Sequence, residues 1–148
     1  MLTLETLTTY DAFLFGIPTQ HGNYPAQWKT FWDATGKLWA AGALTGKYAG
    51  VFVTLTTQGG GQEETIQKAL STFVHHGIIY VPLGYKTAFH QLNSMKEIHG
   101  GSPWGAGAFT GFDNSREPSA LEFEIAGIQG KAFAECLAKV GPMKLTSN

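Results

Sequence analysis

The sequence predicts an α/β domain with a parallel sheet flanked by helices, and three observations carry that prediction. Short apolar runs rich in Val and Phe alternate with stretches of helical period. Each run ends in Gly, Pro or Thr. Strand, helix, strand in that order implies parallel pairing with right-handed crossovers.

The elements follow in order. Ala12 to Ile17 reads as a buried strand that runs out through Gly16 and Pro18, where backbone amides become available at the carboxyl edge of a sheet. Pro25 to Leu38 sets Trp28, Phe31, Trp32 and Thr35 at helical spacing. Ala49 to Leu55 is a second strand. Gln62 to His76 is a second helix with Ile66, Ala69, Leu70, Phe73 and Val74 on one face, capped by Gln62 and Glu63. Ile78 to Pro82 is a third strand. A glycine-rich insertion lies between Tyr85 and Pro118 and carries a further strand, Ala106 to Thr110. The last helix starts at a Ser119/Glu122 capping box, turns Leu121, Ile125, Ile128, Ala132, Cys136 and Val140 inward, and stops at Gly141-Pro142.

Composition narrows function. Ten basic and eleven acidic side chains give a formal charge of -1, which argues against nucleic acid or an anionic membrane as partner. One cysteine, Cys136, excludes an internal disulfide framework, and no apolar stretch has spanning length. The expectation is a cytoplasmic protein. The histidines lack metal spacing: His75 and His76 are adjacent, and His90 and His99 fall in loop territory with no Cys or Asp cluster, so no metal site is expected.

Several segments could carry chemistry. Pro18-Thr19-Gln20-His21-Gly22-Asn23 is a strand-to-helix loop that Asn23 can pin through its side-chain amide. Thr54-Leu55-Thr56-Thr57-Gln58-Gly59-Gly60 is a second such loop, and the helix start after it favours an electron-rich group. His75 and His76 point about 100° apart on one helix, so only one of them can face a ligand. Read without relatives, these are an ordinary turn, a glycine-rich turn and a helix C-terminus with a favourable dipole contact. Trp39 and Trp104 read as pocket plates or as core or interface aromatics.

Phe15 to Asn23, Gly36-Lys37-Leu38-Trp39, Gly59-Gly60-Gly61-Gln62-Glu63, His75-His76-Gly77 and Pro82-Leu83-Gly84-Tyr85 stand in one order between about Tyr10 and Val140. Together they resemble the WrbA-like family of flavodoxin-fold NAD(P)H:quinone oxidoreductases. The resemblance implies a single flavodoxin-like domain over residues 1–148 and hydride transfer from NAD(P)H through FMN to quinones. It implies FMN contacts from Pro18, Thr19, Gln20, His21 and Asn23, and from Thr54, Leu55, Thr56, Thr57, Gln58, Gly59 and Gly60. It makes His75 the catalytic hydrogen-bond donor to a flavin oxygen and Trp39 and Trp104 the substrate-facing plates of a pocket built between subunits. A homo-oligomer, typically a tetramer, follows from the same likeness.

Three departures matter. Gln20 and His21 stand where relatives have Arg and an aromatic, and Thr56 replaces a glycine whose backbone freedom a β-branched residue lacks. The opening from Leu2 to Asp11 matches the turn into the family's third strand. The expectation is therefore a domain incomplete at its N-terminus, without the first strand, the FMN-phosphate loop, the first helix and the second strand. Weakened FMN binding and an exposed edge at Ala12 to Phe15 would follow. So would a second role, that of a non-catalytic flavodoxin-like assembly module. Asp113, Ser115 and Arg116 read as a structural turn leading into the last helix.

Overall fold

A computed structural model describes residues 3–141; Leu2 and Pro142 of the segments named above, and Met1, lie outside them. The chain folds as α1 (Leu4–Thr9), β1 (Ala12–Pro18), α2 (Ala26–Asp33), α3 (Gly36–Ala40), β2 (Tyr48–Leu55), α4 (Gln62–His76), β3 (Ile79–Tyr80), α5 (Phe89–Leu92), β4 (Gly107–Phe109) and α6 (Ala120–Val140). Every pair of strands is parallel, so the predicted flavodoxin-like α/β class stands.

β2 is the centre of the sheet. β1 pairs along its whole length, from Ala12 opposite Tyr48 to Pro18 opposite Thr54. Its other side is shared: β3 pairs with its start at Tyr48 and Ala49, and β4 pairs with its end at Val53 to Leu55. The predicted third strand is thus only two residues long, because the chain leaves the sheet and returns to the same edge further along. A polar side chain of α6 holds that return. Gln129 accepts from the Ala106 amide at 2.9 Å and donates to the Val51 carbonyl at 2.9 Å.

Among the described residues β1 has β2 as its only strand partner. The Asp11 carbonyl and the Thr19 amide face β2, so by the two-residue period the backbone groups of Ala12, Leu14 and Gly16 face outward. A groove of about 700 Å³ runs along this edge between the strand and α2. The exposed edge expected at Ala12 to Phe15 is present. Its two faces differ: Phe13, Phe15 and Ile17 enter the core, while Leu14 is 40% exposed.

The segment before β1 corrects the expected turn. Thr3 and Thr6 form a reciprocal cap, Leu7 is wholly buried, and the buried Lys47 ammonium caps the carbonyl end by donating to Tyr10 O at 2.6 Å. The helix expected over Pro25 to Leu38 is two helices, with the break at Ala34 and Thr35, where the Thr35 hydroxyl meets buried His76 at 2.8 Å. Val74 and Val140, expected inward, are 73% and 54% exposed. Buried instead are Thr65 and His76 on α4, and Glu122, Gln129 and Phe133 on α6. The start of α4 has no side-chain cap; Gly61, at φ +99°, takes that position in place of Gln62 and Glu63.

Candidate functional site

At the carboxyl ends of β1 and β2 two loops lie side by side. The first is closed by reciprocal backbone bonds between Gln20 and Asn23 at 2.6 and 3.0 Å. The Asn23 side chain, expected to pin it, instead accepts from the next amide, that of Tyr24, at 2.8 Å, and the loop is closed by the Asn23 backbone. His21 sits at its tip with φ +51°, a left-handed backbone that its exposed position tolerates. The Thr19 amide donates to Thr54 O at 2.7 Å, so the first loop starts bonded to the second.

The second loop, Thr56 to Gly61, turns sharply; only the Gly60 amide finds a backbone acceptor, at Thr57 O. Among the described residues no protein acceptor takes the amides of Thr56, Thr57, Gln58 or Gly59, nor those of His21 and Gly22 across the gap. Thr56 is not among the residues with positive φ, so it occupies the family glycine's place without backbone strain. A third loop flanks this pair, since the Thr110 and Gly111 amides donate to Leu55 O and Thr56 O at 2.8 and 3.1 Å.

The third loop is anchored from below. Glu122 accepts from the amides of Gly100, Phe109 and Ser119 and from the Arg116 guanidinium at 2.7 Å. Burial pushes its carboxyl up, but the donors outweigh burial and hold it below the ordinary carboxylate value. Arg116 also donates to Phe109 O at 2.6 Å, and Asp113 accepts from Ser115, so this segment is the structural turn that its sequence suggests.

His75 and Trp39 stand elsewhere. α4 leaves the second loop and runs back along the sheet, so His75 lies roughly 20 Å from Gln62, at the opposite edge. There a cavity of about 400 Å³ is bordered by Lys29, Trp39, Ser71, Thr72, His75 and His76. His75 Nδ1 donates to Ser71 O at 2.8 Å, which leaves Nε2 as an acceptor in the neutral ring and a donor only in the imidazolium. His76 is buried, and its Nε2 donates to Thr35 Oγ1 at 2.8 Å because the Thr35 proton is engaged by Trp32 O. Burial, then the neighbouring His75, lowers its pKa.

The structure therefore brings Pro18 to Asn23 and Thr54 to Gly60 together and leaves His75 and Trp39 at the far edge of the same chain. Trp104 belongs to neither group. It packs against the main core, and the half-buried Tyr80 hydroxyl donates to its carbonyl. Sequence reasoning missed Thr65 and Lys68, which reach from α4 to the first loop; both sit among polar residues of an otherwise ordinary helix, and no motif singles them out. Among the described residues there is no cluster that could hold a metal ion and no helix long and apolar enough to cross a membrane.

Known proteins align with this arrangement. The family described as NADPH-dependent FMN reductase matches residues 3–91, more than half of the chain. Protoplast secreted protein 2 of Saccharomyces cerevisiae is 65% identical over 137 residues, which are 93% of this chain and 69% of that protein. An NAD(P)H quinone oxidoreductase of Candida albicans matches with the same identity and the same two shares. Among solved structures, a WrbA-like flavodoxin from Agrobacterium tumefaciens superimposes with a TM-score of 0.68 at 23% identity, over 91% of this chain and 71% of that one. A Fusobacterium nucleatum flavodoxin bound to flavin mononucleotide gives 0.55 at 19% identity, over 89% and 75%. These last two speak to the fold alone.

Proposed function

The chain belongs to the NADPH-dependent FMN reductase family, and from that premise we propose that it is an FMN-dependent NAD(P)H:quinone oxidoreductase whose flavin-ring site is the pair of strand-end loops. The observation that carries this reading is the run of amides without protein acceptors at Thr56 to Gly59, on the loop beside the one whose His21 and Gly22 amides are likewise without them. A flavin ring offers carbonyl and ring-nitrogen acceptors along one edge, and such a row answers them without placing a charge. FMN, when bound, supplies the two-electron carrier between a nicotinamide and a quinone.

The protein residues bind and orient. The amides of Thr56 to Gly59 donate to the ring edge, Asn23 keeps the first loop closed, and Gly60 keeps the turn tight. His75 and Trp39 cannot reach the loops of their own chain across roughly 20 Å, so they serve the site of a neighbouring copy in a homo-oligomer. In that position Trp39, 57% exposed, offers a flat face to the substrate ring, and His75 donates from Nε2 once doubly protonated. Trp104 contributes through packing.

FMN is held weakly by this chain. Glu63 and Glu64 occupy the first turn of α4 and repel a phosphate there. The cellular setting consistent with this chemistry is the cytoplasm. A visible spectrum of the purified protein, with and without added FMN, and NADH-driven reduction of benzoquinone test the reading. A flavin spectrum and turnover are expected at saturating FMN; no bound flavin at millimolar FMN would overturn it. The open edge of β1 favours a second reading, a non-catalytic module that assembles with other subunits through that edge. Assembly without flavin binding would select it.

A further inference from the structure

We propose that Thr65 and Lys68 are positioning residues for the flavin-ring site, clamping the loop after β1 onto the start of α4; this rests on the reading above. Thr65 is wholly buried. Its hydroxyl donates to Gly61 O at 2.8 Å, the back-bond any helical threonine can make, and lies 3.1 Å from the Thr19 hydroxyl, a contact between residues 46 apart in the chain. That second contact fixes the Thr19 side chain, while the Thr19 amide is bonded to Thr54 O at 2.7 Å. Thr19 is thereby tied to α4 by its side chain and to the second loop by its backbone.

Lys68, three positions on and so on the same helix face, extends over the loop and donates from Nζ to Gly22 O at 2.6 Å. Between these two ties the backbones touch. A Cβ on Gly61 would stand 2.5 Å from Gly22 Cα, closer than atoms can approach, and φ +99° at Gly61 excludes ordinary side chains as well. The first loop, its tip in a left-handed conformation at His21, is thus held at three points by one end of one helix. How closely the two loops approach each other is therefore set by α4, which makes the helix start a structural part of the proposed ring site.

The test compares the chain with Thr65→Val, which removes only the hydroxyl at constant shape, and Thr65→Ser, which keeps it. Lys68→Met and Lys68→Arg form a second pair. The first readout needs no flavin: amide hydrogen exchange within residues 20–23, read at Gln20 and Asn23, whose amides are bonded to each other's carbonyls. Faster exchange is expected in Thr65→Val and Lys68→Met and near-original exchange in Thr65→Ser and Lys68→Arg. The second is the dissociation constant for riboflavin and for FMN by fluorescence quenching, expected to rise roughly five- to tenfold in Thr65→Val for both ligands alike, the value of one hydrogen bond. Unchanged exchange in Thr65→Val overturns the clamp, as does a loss that Thr65→Ser fails to restore. A weakening confined to FMN overturns its assignment to the ring. If the unaltered chain binds neither flavin, the functional reading fails, while exchange at residues 20–23 still decides the clamp.

Discussion

The two ends of α4 are built on opposite principles. At its N-terminus the chain exposes backbone: glycines, a left-handed cap and a row of amides with no protein acceptor. At its C-terminus it exposes side chains, with His75 and Trp39 around a cavity and His76 and Thr35 locked beneath it. The first end suits the binding of a polar ring edge, and the second suits contact with a face. A crossover helix must return to the start of the next strand, so the two groups sit at opposite edges of one molecule. Under the proposed function they meet only between molecules.

The largest expected effect tests the first end. Gly61→Val places a β-branched side chain at φ +99° against the Gly22 backbone, and the two loops must part. A displacement of that size lowers flavin affinity on the order of a hundredfold. Trp39→Ala, at the far end, should leave flavin affinity near its original value and lower quinone turnover instead. Titration and steady-state assays of the two variants would break the comparison if their effects were exchanged.

Next comes the tie beneath the third loop. Glu122→Ala strips four donors of their acceptor in a buried site, and the cost is about 3–5 kcal/mol in denaturant unfolding. Because the Glu122 pKa is held below its ordinary value of 4.5, its contribution is present above that pH and lost as pH falls through the folded value. Stability should therefore fall further as the pH drops below 4.5.

His75→Ala should slow flavin reduction by about tenfold in stopped-flow experiments, a hydrogen bond to a charged acceptor, with little change in stability. His76→Ala should do the reverse, since it removes a buried contact with Thr35 and touches no ligand. The smallest effect is a slope. The His76 pKa is lowered from 6.5 in the folded chain, so the unfolded chain takes up the proton first and stability declines as pH drops below 6.5. In His76→Gln that part of the decline should vanish from the thermal midpoint.

Much of the fold was legible because local signals and tertiary demands agree. The bounds of α4 follow from the glycines at 61 and 77, and the Ser119/Glu122 box marks the start of α6. Elsewhere a distant partner decides. The break after Asp33 depends on Thr35 meeting His76, and no periodicity within residues 25–38 contains that. An apolar pattern also cannot announce that Glu122 and Gln129 face inward, since their burial rests on donors and acceptors supplied by other segments. The two loops could be read from their glycine, proline and threonine content. The separation of His75 from them follows from topology alone, once α4 is placed after a parallel strand.

The divided edge of β2 has a consequence for the history of such a chain. Between Tyr80 and Gly107 the backbone departs and comes back to the same line of hydrogen bonds. The entropy of closing that excursion grows only with the logarithm of its length, about 0.6 kcal/mol for each doubling. At its exposed positions, such as Met95, residues can be gained or lost at small entropic consequence while the registers of β3 and β4 stay fixed. This span is where lineages can diverge in size without disturbing the amides at the carboxyl end of β2.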